Sequence, residues 1–332
     1  MGNDYIDSGN GWHVYPERGN DYIQGTSNAF VHLERFGGHD TILSCSPILV
    51  FENNICRINK NTGKINNIEI TKNDNGYLIE YGYDGNASVL MKNVNKLRFM
   101  IGNNFFTTED DISYDTERLL QSAYDESDIK YWKIGSNTDD NISISGDISH
   151  PSRFDGIMTF DGKDIISCPN YPITLYGGKG SDTYNLYTWP AEKITNSPVI
   201  INDYTGSNDT INIALEKSAI NIYRNIDKDG NYVDKNLYIY LDTYGATKYV
   251  EIDNYFTGYG KIENINSQAF GKVYSFDNFS FDNIQSDVAS WLKSDSRAYA
   301  DVNAVMSSGN EADINALMAY FADNTTWTQG QL

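Results

Sequence analysis

Carboxylates recurring at a fixed interval are the residues of this chain best equipped for chemistry. Counting back in nines from Tyr184 reaches Leu175, Ile166, Ile157 and Ile148, every one apolar. Two residues ahead of these five positions stand Asp182, Ile173, Asp164, Asp155 and Gly146, and glycines precede two of the aspartates, Gly180 before Asp182 and Gly162 before Asp164. The pattern reads as a repeated turn of about six residues, in which glycine reaches backbone angles closed to other residues, followed by a short strand with one inward apolar side chain. Two such units make one coil. Coils stacked at the strand spacing of about 4.8 Å bring their turn aspartates into line, where they repel one another unless a cation lies between them. Calcium suits that gap, since it takes six to eight oxygens and accepts carboxylates and turn carbonyls together.

The N-terminal quarter carries a damaged version of the theme. The pentad Gly2-Asn3-Asp4-Tyr5-Ile6 returns as Gly19-Asn20-Asp21-Tyr22-Ile23 and again as Gly38-His39-Asp40-Thr41-Ile42. Steps of nine from Ile6 give Tyr15, Gln24, Leu33, Ile42 and Phe51, with the second pentad one residue out of phase.

These residues resemble the repeats-in-toxin (RTX) family of proteins exported by Gram-negative bacteria. The family's glycine-rich nonapeptide is matched in full at Gly177, Gly178, Gly180, Asp182 and Tyr184, and in degenerate form elsewhere. The resemblance implies a mostly β protein: a parallel β-roll with antiparallel β capping segments and a small helical C-terminal tail. It also implies calcium as the cofactor, held by Gly177, Gly178, Gly180 and Asp182, by Gly162, Asp164 and Asp155, and by Gly2, Asp4, Gly19, Asp21, Gly38 and Asp40. Asp203 and Asp209 fit terminal calcium ligands, although Asx-turn capping accounts for them as well. The implied product is secreted and extracellular, handed to a type I secretion transporter by an uncleaved C-terminal signal, and it folds on calcium after export as the targeting module of a toxin-like product. Repeats that begin at once after Met1 fit the tail of a longer toxin or adhesin.

Composition agrees. The 332 residues carry a formal net charge of −20, with 45 acidic against 25 basic side chains, which argues against nucleic-acid binding and favours cations. No apolar run approaches the 18 or so residues of a transmembrane segment. Cys45, Cys56 and Cys168 have no metal-ligand spacing; Cys45 and Cys56 could close a disulfide outside the cell, and buried free thiols are the reading favoured here. His-Glu-x-x-His and Gly-x-Ser-x-Gly do not occur, and His13, His32, His39 and His150 are scattered, His13 and His39 falling in degenerate turns. The expectation is therefore of no enzyme. Two alternatives stand beside it: an adhesin or carbohydrate-binding module that meets a host cell surface or glycan through aromatics around Tyr255 to Tyr259, and an enzyme with an unfamiliar site.

Five segments follow: a degenerate roll block at 1–55, a β meander and linker at 56–136, a second roll block at 137–188, a β capping region at 189–282 and a helical tail at 283–332. Within the meander, Tyr77 to Tyr83, Ser88 to Val94 and Leu97 to Ile101 read as successive antiparallel strands, and Thr116 to Tyr124 as a short helix. A cap is a physical requirement, because an open coil end exposes apolar interior and unpaired backbone. In the tail, Ile284, Val288, Trp291 and Leu292, then Val302, Val305 and Met306, then Ile314, Leu317, Met318 and Phe321 recur at helical spacing, with Asp301 and Asn310 placed as N-caps and Gly309 as a stop. A helical cap and an export signal are compatible readings of these helices.

Overall fold

The computed structural model describes the chain apart from residues 1, 10–11, 26–27, 36, 44–46, 52–54, 59–64, 83–85, 110–111, 113–115, 117, 121–128, 145–153, 170–171, 188–197, 204–205, 244–245, 258–261, 280, 282–283, 295–298, 324 and 330–332. The protein is mostly β with parallel sheets, and it divides into two compact units: 1–140 with 153–162, and 141–152 with 163–332.

In the first unit the chain alternates between two sheets. Strands Tyr5–Ser8, Tyr22–Gly25, His39–Leu43 and Ala87–Lys92 lie side by side and parallel in one sheet. His13–Val14, Phe30–Leu33, Ile48–Phe51 and Arg98–Ile101 do the same in the other. Inward side chains stack from coil to coil: Ile6 on Ile23 on Ile42 on Met91 in the first sheet, and Val14 on Val31 on Leu49 on Phe99 in the second. The nine-residue count is corrected here at Tyr15 and Gln24. Both are exposed, and their neighbours Val14 and Ile23 take the inward places, because Asp4 and Asp21 are 17 residues apart where Asp21 and Asp40 are 19 apart.

The expected meander is real for one pair of strands only. Gly76–Tyr81 is antiparallel to Ile68–Asn73 on one side and to Ala87–Lys92 on the other. Arg98–Ile101 leaves that sheet and pairs parallel with Ile48–Phe51, so residues 87–101 form a further coil and the hairpin of 68–81 is an insertion ahead of it, between Ile48–Phe51 and Ala87. Of the proposed helix from Thr116 to Tyr124, Thr116 and Arg118 to Leu120 are helical, and the remainder lies outside the described residues.

The second unit repeats the alternation. Asn141–Ser143, Ile165–Pro169, Thr183–Tyr187, Thr210–Ile213 and Asn264–Ala269 form one parallel run, whose inward stack is Ile142, Ile166, Tyr184, Ile211 and Ile265. Ile173–Tyr176, Val199–Ile201 and Ala246–Ile252 form the other, stacking Leu175, Ile201 and Ile252. Outward on the first sheet, Asn185, Asn212 and Asn266 form an amide ladder, with bonds of 2.9 and 3.0 Å, that ends on the Ser275 hydroxyl.

Both runs end in antiparallel strands: Leu237–Thr243 and Ile220–Tyr223 on one sheet, Lys272–Phe279 and Thr325–Gln329 on the other. Helices α1 (Gln285–Ser294), α2 (Val302–Ser307) and α3 (Glu311–Ala322) complete this end. The Asp301 carboxylate accepts from the Ala304 N–H, the Asn310 side chain accepts from the Asp313 N–H, and Gly309 takes φ +69°, as the capping pattern predicts. Phe321 of α3 meets Tyr223 and Phe281 edge-on at 5.8 and 6.0 Å. No helix among the described residues is long and apolar enough to cross a membrane.

Glycine is compelled where turns stack. A Cβ at Gly38 would overlap the Gly19 carbonyl oxygen, and one at Gly19 would overlap the Gly2 carbonyl oxygen. Gly38→Ala should therefore cost more stability than Gly309→Ala, which adds a methyl group into open space at a similarly left-handed position. The expected losses are about 3 kcal/mol or more against about 1 kcal/mol, read from urea midpoints. Equal losses would show that backbone conformation, and not coil contact, fixes the residue at 38.

Candidate metal centre

The aspartates of the repeat are joined by a continuous hydrogen-bond relay. In the second unit the Asp164 N–H donates to Asp182 Oδ1 at 2.9 Å, the Asp182 N–H to Asp209 Oδ1 at 2.7 Å, and the Asp209 N–H to Glu263 Oε2 at 2.8 Å. The main-chain carbonyls of Asp164, Asp182 and Asp209 accept from Thr183, Thr210 and Asn264 of the next coil. The first unit repeats the scheme, with the Asp4 N–H on Asp21 Oδ1 at 2.7 Å and the Asp21 N–H on Asp40 Oδ1 at 3.0 Å. Each bond commits one carboxylate oxygen to neighbouring backbone. At Asp21, Asp40 and Asp209 the second oxygen is buried without a hydrogen-bond partner.

Asp203 joins this relay from the far end of the preceding strand, Val199–Ile201. Its Oδ2 accepts from the Tyr184 hydroxyl at 2.9 Å, its Oδ1 is buried without a partner, and one oxygen from each of Asp182, Asp203 and Asp209 lies within 4.8 Å of the others. The three side chains are at most 1% exposed. Three carboxylates so close in a dry setting form an acidic cluster that could hold a metal ion. Glycine makes the approach possible. A Cβ at Gly177 would overlap the Asp182 carboxylate and the Tyr184 hydroxyl, and one at Gly206 would overlap the Asp209 carboxylate.

Burial sets the proton affinities. Desolvation, followed by the charges of Asp209 and Asp182, drives Asp203 well above the ordinary carboxylate range. Desolvation, opposed by the Asp182 N–H and reinforced by the Asp182 and Glu263 charges, raises Asp209 to about 7. Asp40 rises to about 6, chiefly by desolvation, and its charge helps to push the buried Tyr81 phenol upward.

The residues singled out from the sequence are therefore distributed as follows. Asp164, Asp182, Asp203 and Asp209 share one relay, with Gly177, Gly178 and Gly180 in the turn that leads into Asp182. Gly2, Asp4, Gly19, Asp21, Gly38 and Asp40 form the equivalent stack in the first unit. Gly162 follows Asp161 in a two-residue strand assigned to the first unit. Asp155 stands elsewhere: it is exposed, at the entry to Gly156–Met158, and its carboxylate accepts from the Tyr131 N–H at 2.8 Å. Cys56 and Cys168 are buried free thiols, burial pushing each up to about 12, while Cys45 and His150 lie outside the described residues. Tyr255 and Phe256 are only half exposed and pack edge-on against each other.

The sequence reading missed Glu263. It ends the relay although it lies 54 residues beyond Asp209. Its position two residues before the inward Ile265 matches that of Asp209 before Ile211, and this was the available signal.

No family model matches the chain, and no curated protein matches it. Among solved structures, the extracellular lipase LipA from Serratia marcescens is similar at 15% identity and a TM-score of 0.18, over 75% of this chain and 36% of that one. So shallow a superposition carries no argument about fold or substrate. The neighbour is an enzyme, and the expectation that this chain is not one is withdrawn. Its weakness was physical, since catalytic groups assembled from distant parts of a fold leave no contiguous motif to search for.

The raised aspartates fix the sign of the pH response. A carboxyl whose folded pKa exceeds its unfolded value holds its proton more firmly when folded, so its contribution is greatest below about pH 4 and is lost as pH rises through 6 to 7. In excess chelator, the stability read from urea unfolding should fall between pH 4.5 and 7.5, by about a few kcal/mol in total. A flat or rising profile would mean that these carboxylates are hydrated.

Proposed function

We propose that this chain is a calcium-binding, RTX-type secreted protein whose parallel β-roll closes when calcium neutralises its turn aspartates. The observation that carries the reading is the convergence of Asp182, Asp203 and Asp209, dry and within 4.8 Å, on a relay of turn carboxylates. Such a centre is costly while its oxygens remain ionised and uncompensated, and a divalent ion converts that cost into stabilisation. The hard, all-oxygen donor set selects calcium over softer ions, and its size over magnesium, whose short octahedral bonds match a turn poorly.

Secretion follows from the same chemistry. Where calcium is scarce, the repelling turns keep the chain loose enough to thread a type I channel. Outside a Gram-negative cell, millimolar calcium exceeds the dissociation constants of about 10⁻⁴ to 10⁻³ M typical of extracellular sites, and folding proceeds by linkage. In this proposal the two stacks, Asp4–Asp21–Asp40 and Asp164–Asp182–Asp209 with Asp203, hold the ions, and the helices from Gln285 onward carry the export signal. The module directs folding and targeting of a toxin-like product.

Calcium titration of chelator-treated protein, followed by near-ultraviolet circular dichroism, tests the centre. The native signal should return with calcium and much less with magnesium, and Asp203→Asn should move the midpoint at least about tenfold higher. A protein equally ordered and heat-resistant in chelator, or a midpoint untouched by Asp203→Asn, would overturn the reading.

A further inference from the structure

Two histidines that the sequence reading set aside meet on the outer face of the first unit. His13 belongs to strand His13–Val14 and His32 to Phe30–Leu33, which are adjacent and parallel with His13 opposite Phe30. Val14, Val31 and Leu33 fill the interior, so alternation turns His13 and His32 to the other face, beside Phe30, which is itself fully buried. His13 Nδ1 lies 2.7 Å from His32 Nε2. The two imidazoles are 25° from coplanar with centroids 5.0 Å apart, so they meet edge to edge through these nitrogens; Phe30 lies near-parallel to His13 at 4.9 Å, and Tyr15 near-parallel to His32 at 4.3 Å. His13 is exposed and His32 half-buried, so solvent ions reach the pair.

We propose that His13 and His32 form a two-imidazole chelating site for a borderline divalent transition cation of the Cu²⁺, Ni²⁺ or Zn²⁺ class. Two facing ring nitrogens are a donor set that such ions take and calcium, a hard oxygen-seeking ion, does not. Metal–nitrogen bonds of about 2.0 to 2.1 Å place two nitrogens on the same ion roughly 3 Å apart, so the nitrogens separate by a few tenths of an ångström while each ring turns to aim its lone pair at the ion. The shared proton of the N–H···N contact passes through solvent to the outer nitrogen of its ring. Both imidazoles stay neutral, each offers a lone pair to the ion, and no net proton is lost. Phe30 and Tyr15 hold the rings in place beforehand, which lowers the ordering cost of binding. The ion would staple the first coil to the second on the face opposite the core, independently of the aspartate turns.

The test uses the calcium-saturated full chain. Copper(II) electron paramagnetic resonance should show nitrogen hyperfine coupling at one ion per chain, and Ni²⁺ should raise the thermal midpoint of the wild type. His13→Gln and His32→Gln should each lower Cu²⁺ affinity at least about tenfold and abolish the Ni²⁺ shift, with the circular dichroism spectrum unchanged. The proposal is overturned if the double variant binds Cu²⁺ as tightly as the wild type, or if the bound copper shows oxygen ligation alone. Calcium-dependent folding could fail or succeed without altering either result, so this test and that of the aspartate centre are separable.

Discussion

The bond from one turn's N–H to the next turn's carboxylate is the constraint on which both units rest. It fixes coil-to-coil register, because Asp164, Asp182 and Asp209 can follow one another only if each strand begins at the same height. It also fixes charge. Every coil added brings another anion into the same dry column, so order and repulsion grow together, and the stack is stable only where protons or cations share the column. The rise of Asp40 to about 6 and of Asp209 to about 7, both caused first by desolvation, is the measure of that tension.

The glycines serve the same geometry. Gly177 and Gly206 leave room for the carboxylates of Asp182 and Asp209, while Gly19 and Gly38 let turns of successive coils touch. A turn that leaves room for a carboxylate and a turn that stacks closely thus need the same residue, which explains why glycine and aspartate recur together.

Much of this was legible beforehand, and the failures are instructive. The nine-residue beat located Ile157, Ile166, Leu175 and Tyr184, each fully buried, because inward strand positions must repeat when coils stack. It misplaced Tyr15 and Gln24 because a 17-residue coil moves the phase by one, and a shift of one residue turns a strand position from inward to outward. Helix periodicity and capping residues placed all three C-terminal helices, since those signals are local. Non-local pairings were not legible. Nothing in the order of strands distinguishes Arg98–Ile101 continuing a meander from its crossing to pair with Ile48–Phe51. Glu263 and the pair His13 and His32 went unseen for the same reason, although the 19-residue separation of the histidines equals that of Asp21 and Asp40.

The antiparallel strands that finish the second unit have an evolutionary corollary. Leu237–Thr243 and Lys272–Phe279 reverse direction against the last parallel strands, Ala246–Ile252 and Asn264–Ala269, so nothing of the repeating kind can be appended beyond them. Upstream of that seal in the second unit, by contrast, successive strands pair parallel on both edges. Duplication of one 18-residue period, such as 165–182, would slide into the array between strands paired in the same parallel register, bring its own acidic turn and leave the terminus undisturbed. Genomes could therefore lengthen this architecture internally, one period at a time, while its closing structure is inherited unaltered.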